Sequence, residues 1–208
     1  MSEWNNYNYF GGTVSTLECP QFLPKVKKVA DRYLKFHSAK DTVFEITQTN
    51  HIFEEELTEF ATYVAQSSWL MLDNQGYDVK NFTTVISELW CQQFDQFGMQ
   101  PEHVHSNSYI SGFYFLEVPT KSSRPTVHDI NQVKKMMPLK VKDKKTISLA
   151  STAISFTPKV GELFLFNSWL PHSFSPHKSK KPFKFIHFNV AVVPNQTQTA
   201  APQEAIVV

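Results

Sequence analysis

The hydrophobic pattern of the chain changes near its middle. In the first half, apolar residues recur at helical spacing in two segments, near residues 25–36 and along residues 51–72. The second segment carries Glu54, Glu55 and Glu56 near its start, where a helix dipole favours negative charge. We therefore predict two helices in this half.

The second half has a different hydrophobic pattern, in which short apolar or alternating runs are separated by Pro, Gly, Ser and Lys. These runs are "YISGFYFLEV", "TISLASTAISF", "GELFLFNSWL" and "FKFIHFNVAVV". Their length and spacing are typical of strands. An earlier run, "FTTVISELWCQQF", fits either a helix or a strand ending in Trp90. Helices followed by short strands predict an α+β fold with a β-sandwich or barrel core.

The length of 208 residues predicts one domain with a substantial core. We place this domain at residues 1–193, with a helical part at about 1–89 and a β core at about 90–193. The last segment, residues 194–208, is polar with Pro and Ala, and we expect a disordered tail there.

Composition argues against several classes of partner. The chain has 20 Lys and Arg against 19 Asp and Glu, so no overall field attracts nucleic acid or an anionic membrane. Six lysines cluster in residues 134–145, which we interpret as a solvated loop. Two cysteines do not make a disulfide framework, and the first residues lack a signal-peptide pattern. We expect a cytoplasmic protein that binds neither nucleic acid nor membrane.

The histidines are the candidate chemistry of the chain. On a strand, His103 and His105 would project from the same face. His172 follows a later apolar run, and strands distant in sequence can be neighbours in a sandwich. A pair plus a distant third ligand is the geometry of a mononuclear metal site, although such a pair is more often an ordinary strand end.

Four stretches raise the weight of the metal interpretation: "HVHSNSYISGFYFL", "PTVHD", "GELFLFNSWLPHSF" and "PFKFIHFN". In this order they resemble the iron(II)- and 2-oxoglutarate-dependent oxygenases, in particular the compact bacterial and phage branch. The resemblance covers about residues 90–193. It implies a double-stranded β-helix, a cupin-like jelly roll whose two sheets enclose the metal, supported by the N-terminal helices.

The resemblance also implies a ligand set, from which this chain departs. His103 and His172 take the first and last positions, but His105 occupies the position where the superfamily usually has a carboxylate. Three interpretations stay open. All three histidines bind the metal, or one of the first pair binds together with Asp129, or the site has lost its metal.

The same resemblance assigns a site for the co-substrate. Lys184 takes the place of the arginine that usually binds the far carboxylate of 2-oxoglutarate, and Tyr109 and Ser111 are candidate hydrogen-bond donors. The register of the last strand decides this assignment. If Lys184 faces the cavity, His187 points away. In the reverse register, His187 and Asn189 line the site and Lys184 is excluded.

The function that the resemblance implies is a hydroxylase-like dioxygenase using Fe(II), 2-oxoglutarate and dioxygen, in the host cytoplasm if the chain is phage-encoded. Its substrate is either a protein side chain or a small metabolite. One alternative is a three-histidine, cupin-type dioxygenase that uses no keto acid. Another is a non-catalytic, virion-associated β-sandwich module. Residues 1–89 would support the barrel or form a homodimer contact.

Overall fold

The computed structural model describes residues 11–195, which contain two α-helices and eleven strands. The helices are α1 (Leu23–Phe36) and α2 (Thr58–Asn74), and short 3-10 helices span Pro20–Phe22, Glu55–Leu57 and Gln132–Met136. The strands are β1 (Val14–Glu18), β2 (Ser38–Asp41), β3 (Ile46–Thr49), β4 (Phe82–Phe94), β5 (Gln100–His103), β6 (Ile110–Glu117), β7 (Pro125–His128), β8 (Ala153–Ser155), β9 (Glu162–Asn167), β10 (His172–Phe174) and β11 (Phe183–Pro194). Most of the predicted tail, residues 196–208, lies outside the described residues.

The strands form two antiparallel sheets. The larger sheet has seven strands in the order β1-β9-β6-β11-β4-β3-β2, and the smaller has four in the order β5-β10-β7-β8. This arrangement confirms the predicted α+β class and the jelly-roll core. Strands distant in sequence are neighbours in both sheets, which is what allows distant histidines to meet.

The larger sheet is buried on both faces, as its central strand β11 shows. Phe183 and Phe185 point into an aromatic core between the two sheets. Ile186, Phe188 and Val190 point the other way, into a core shared with the helices. Side chains of a strand alternate between faces, so each face of β11 serves a different layer.

The two predicted helices form the outer layer and are confirmed. Val26 and Val29 of α1 are fully buried, and the Phe60 ring of α2 lies 5.0 Å from the Tyr114 ring of the sheet. The second helix begins later than its sequence pattern indicates. The backbone N–H of Ile52 donates to the carbonyl of Leu89, which holds this part of the chain extended beside the sheet.

The division into a helical part at 1–89 and a β core at 90–193 needs correction. The first part also contains β1, β2 and β3, and β4 begins at Phe82. β1 pairs with β9 along its whole length, so the N-terminal segment is an edge of the jelly roll itself. In the run "TISLASTAISF" only Ala153–Ser155 form a strand. Among residues 11–195, no helix is long and apolar enough to cross a membrane.

Candidate metal centre

Three histidines converge at the edge of the smaller sheet. His103 ends β5 and His172 begins β10, and these two residues are directly paired across the strands. Their ring centroids lie 4.2 Å apart, and the His105 ring lies 5.0 Å from that of His172. One ring nitrogen from each histidine falls within 4.8 Å of the others. The structure therefore brings together the three histidines selected from the sequence.

Backbone carbonyls fix the orientation of two of these rings. The Nδ1 atom of His103 lies 2.8 Å from the carbonyl oxygen of Pro101, and that of His172 lies 2.9 Å from the carbonyl of Leu170. A carbonyl only accepts hydrogen bonds, so both Nδ1 atoms carry the proton and both Nε2 atoms keep a lone pair. Such a contact commonly fixes the tautomer of a metal-binding histidine.

The cluster is suited to bind a metal ion, and the Nε2 atom of His172 is the main reason. It is buried and has no hydrogen-bond partner among the described residues. A buried acceptor without a partner costs free energy, and a metal ion would satisfy it. Three neutral imidazoles suit iron(II) among the first-row metals, and with three ligands a metal keeps open positions.

Burial keeps two of these imidazoles, those of His105 and His172, in the neutral form that binds metal. Desolvation, followed by the neighbouring His103, lowers the pKa of His172 to about 3. The same two causes lower the pKa of His105 to about 4, against a smaller opposite effect of Glu88. Both rings are therefore unprotonated at neutral pH, and protons compete weakly with a metal.

His187 is a fourth histidine at this site, and it entered the sequence analysis only as the reverse-register alternative. It is 3% exposed, and its Nε2 atom lies 3.0 Å from Nε2 of His105. Its ring stacks on Trp90 with a centroid distance of 4.3 Å. The pairing of β4 with β11 sets Trp90 opposite His187. The register is thus the one in which His187 faces the site.

The assignment of Lys184 as the co-substrate anchor is wrong in this structure. Because Lys184 and His187 fall on opposite faces of β11, Lys184 points toward the helices. Its Nζ atom lies 2.8 Å from Asp31 Oδ1 and 3.2 Å from Glu117 Oε1. Desolvation alone would lower the pKa of Lys184, but these two carboxylates raise it. Lys184 therefore joins a helix to the sheet.

Asp129 does not join the histidines either. It lies in a turn after β7, where its carboxylate accepts a hydrogen bond of 2.9 Å from the backbone N–H of Asn131 and pairs with Lys134. The contacts with Lys134 and Asn131 lower the pKa of Asp129 despite its partial burial. The structure gives no support to Asp129 as the missing carboxylate ligand.

The two predicted co-substrate donors also lie elsewhere. Tyr109 is 44% exposed, and its ring contacts Tyr77 at 6.2 Å. Ser111 is buried, but its hydroxyl donates to Oδ1 of Asn189 at 2.7 Å and contacts the Ser168 hydroxyl at 2.9 Å. The only hydroxyl proton of Ser111 is thereby used within the protein, so it is not free to bind a ligand.

A cavity of about 200 Å³ opens beside the histidines. Its lining is polar and aromatic but carries no carboxylate and no lysine or arginine among the described residues. It consists of Gln48, Trp90, Gln92, Gln100, His103, His105, Phe113, Phe174 and His187. Near the exposed Gln48, the side-chain amide of Gln92 donates to Gln48 Oε1 at 2.8 Å. The arrangement can hold a metal and a small polar molecule next to it.

Known proteins share this fold and this region of sequence. Residues 88–189 match the family described as "Putative 2OG-Fe(II) oxygenase". A 2OG-Fe(II) oxygenase family oxidoreductase from Burkholderia pseudomallei matches with a TM-score of 0.58 at 10% identity, over 86% of this chain and 84% of that one. A search of the curated proteins gave no significant match.

Two further solved structures extend the comparison. A prolyl-4-hydroxylase from Pseudomonas putida has a TM-score of 0.57 at 12% identity, with 85% of this chain and 91% of that chain covered. The non-heme alpha-ketoglutarate-dependent epimerase SnoN of nogalamycin biosynthesis has a TM-score of 0.63 at 9% identity, with 92% and 86% covered. At such identities these structures establish the shared double-stranded β-helix fold.

The double-stranded β-helix fold and the three-histidine cluster resemble the non-haem iron oxygenases of the jelly-roll class. Residues 88–189, just under half of the chain, match the 2OG-Fe(II) oxygenase family. At the position where that superfamily usually has a carboxylate, this chain has His105.

Proposed function

We propose that the chain binds one Fe(II) ion through His103, His105 and His172, and that it uses 2-oxoglutarate and dioxygen to oxidise a substrate in a hydroxylase-like reaction. The observation that carries the proposal is the convergence of three ring nitrogens within 4.8 Å, one of them the buried, unpartnered Nε2 of His172. The iron and the keto acid would together supply the activation of dioxygen.

The neutral ligand set supports an anionic co-substrate. Three imidazoles do not compensate the charge of a divalent ion, and the cavity lining adds no carboxylate. An opposite charge next to the metal is strongly favoured in a partly desolvated site. A keto acid that chelates through its carboxylate and carbonyl oxygens would bring this charge. The three neutral histidines therefore suit the end of the keto acid that would bind the metal.

The cavity limits how a substrate approaches. Gln48 is exposed, whereas Gln92 and His187 are buried, so the open side of the cavity lies toward Gln48. A side chain of a protein or one end of a small metabolite would enter there. Prolyl hydroxylases and an epimerase are among the similar structures, and both substrate classes stay within this proposal.

The cytoplasm is the proposed compartment. Cys19 and Cys91 are both buried and unpaired, and burial raises the pKa of the Cys19 thiol to about 11. Neither thiol is available as a reactive thiolate, and the two do not form a disulfide. This state is typical of proteins from reducing compartments.

An anaerobic titration with Fe(II) and then 2-oxoglutarate tests the proposal. A chelated keto acid gives a weak visible charge-transfer band, which we expect in the wild type and not in His172→Ala. The exposed His37, which belongs neither to the histidine cluster nor to the cavity lining, provides the matched control, and His37→Ala is expected to keep the band. Metal binding without the band would favour a three-histidine dioxygenase that uses no keto acid. No metal binding would favour a non-catalytic module.

A further inference from the structure

The proposed co-substrate has two carboxylates, and the described residues of the cavity offer no cation for the second one. 2-Oxoglutarate carries a second carboxylate at the end distant from the metal. Lys184 is held on the other face of β11, and the positions on either side of it that face the core are Phe183 and Phe185. The cavity lining contains no lysine or arginine among residues 11–195. The far carboxylate must therefore find uncharged donors.

Two residues that line the cavity each have a buried nitrogen atom without a partner. These atoms are Nε1 of Trp90 and Nδ1 of His187. An indole Nε1–H can only donate a hydrogen bond, and buried donors in native proteins nearly always have an acceptor. Within the described residues, the only other unpartnered buried side-chain atom is the Nε2 of His172 that faces the metal position. The unpartnered atoms thus belong to two residues of this cavity and to one histidine of the adjoining cluster.

The two rings are placed to act together. Trp90 and His187 are directly opposite in the β4–β11 pair, and they stack at 4.3 Å with an interplanar angle of 20°. His187 in turn contacts His105 through the two Nε2 atoms. The stacked pair therefore adjoins the metal-binding cluster and is fixed by the main sheet.

We propose that the Nε1–H of Trp90 binds the far carboxylate of 2-oxoglutarate in place of a lysine or arginine, and that the His187 ring stacked against it holds the indole in position. This inference rests on the proposed function. It assigns the specificity for a dicarboxylic keto acid to a hydrogen bond from an uncharged donor. Such a bond lacks the ion pair that a lysine or arginine would add, so discrimination against keto acids with one carboxylate is modest.

The test compares two ligands in two proteins. 2-Oxopentanoate has the same chain length as 2-oxoglutarate but a methyl group in place of the far carboxylate. Dissociation constants are measured for both by calorimetry on protein loaded with Zn(II), so no turnover is required. Trp90→Phe keeps an aromatic ring on His187 and removes only the N–H donor. We expect it to weaken 2-oxoglutarate binding about 5- to 30-fold and to leave 2-oxopentanoate binding unchanged.

Trp169 provides the matched control, because it lies on a different cavity, beside Tyr77 and Asn167. Trp169→Phe should change neither dissociation constant. A second measurement needs no variant of Trp90. In ¹⁵N-labelled wild type, the indole N–H resonance of Trp90 should move downfield with 2-oxoglutarate and stay in place with 2-oxopentanoate.

The outcomes separate this inference from the proposed function. If Trp90→Phe weakened the binding of 2-oxoglutarate and of 2-oxopentanoate equally, the inference would be overturned and Trp90 would have a structural role. Unchanged binding of both ligands, with a stationary resonance, would also overturn it and would mean that water satisfies the indole. If the wild type binds metal but neither keto acid, the proposed function fails and the inference fails with it.

Discussion

His172 lies directly opposite His103 in the antiparallel pair formed by β10 and β5. The separation of these two rings is therefore set by backbone hydrogen bonding between strands and not by a loop. The Nδ1 contacts of both rings with backbone carbonyls fix their rotation as well. Two of the three proposed metal ligands are thus positioned before any metal binds, which lowers the cost of ordering them.

The role of His105 separates the open ligand interpretations. His105→Leu removes the lone pair, and we expect it to lower the affinity for Zn(II) or Fe(II) by about two orders of magnitude. His105→Asp restores the carboxylate that is usual in the superfamily and should keep metal binding, since carboxylate and imidazole both suit iron(II). Calorimetric titration of the apoprotein measures both. Unchanged affinity in His105→Leu would exclude His105 from the ligand set.

Asp129 is expected to make no difference to the metal. Its carboxylate is bonded to Lys134 and to the backbone N–H of Asn131, away from the histidine cluster. Asp129→Asn should therefore leave the metal dissociation constant within about twofold of the wild type, because it removes only a partly solvated ion pair. The same titration checks this. A loss as large as that in His105→Leu would restore Asp129 as a ligand.

The convergence of the three histidines could be predicted from the sequence, whereas the face of β11 that carries Lys184 could not. His103 and His105 were identified because residues two apart share a strand face, and His172 because its motif follows in the order of the family. The face of Lys184 depends on the register of β11. Alternation of apolar and polar residues normally reveals the register, but both faces of β11 are apolar, with Phe185 on one and Ile186 on the other. The sequence pattern therefore left the two registers equally open.

Lys184 is expected to matter for stability and not for the co-substrate. Lys184→Met removes a cation whose side chain is only 15% exposed and leaves Asp31 and Glu117 with Lys27 as their remaining partner. We expect a loss of about 1 kcal/mol in the free energy of unfolding, because the pair is partly solvated. Urea denaturation measures this loss, and keto acid binding to the Zn(II) form should be unchanged.

Lys159 is the control for this prediction, since its pair with Glu18 is largely exposed. Lys159→Met should change the free energy of unfolding by less than about 0.5 kcal/mol. If Lys184→Met instead weakened 2-oxoglutarate binding while leaving 2-oxopentanoate binding intact, Lys184 would be the anchor after all, and the face assigned to it here would be wrong.

The buried histidines should make the metal-free protein sensitive to mild acid. The pKa of His172 is lowered to about 3 in the folded chain, whereas an unfolded histidine titrates near its ordinary value of 6.5. Between these values the unfolded chain binds more protons than the folded one, so the free energy of unfolding falls as the pH falls. From pH 7.5 to 5, His172 alone should account for about 2 kcal/mol.

Urea denaturation of the apoprotein at several pH values measures this slope, and His172→Leu should reduce it. The carboxylates with lowered pKa values, such as Asp31 and Glu117, lose their contribution only at lower pH, below the ordinary range of a carboxyl group. In the window from pH 7.5 to 5 these carboxylates therefore contribute little to the slope, whereas Glu162, whose pKa is raised by burial, opposes the effect of the histidines. His172 is only 2% exposed, so we expect it to resist protonation in the folded protein. A free energy of unfolding that stays constant across this window would contradict this prediction, because it would mean that the folded and unfolded chains bind the same number of protons.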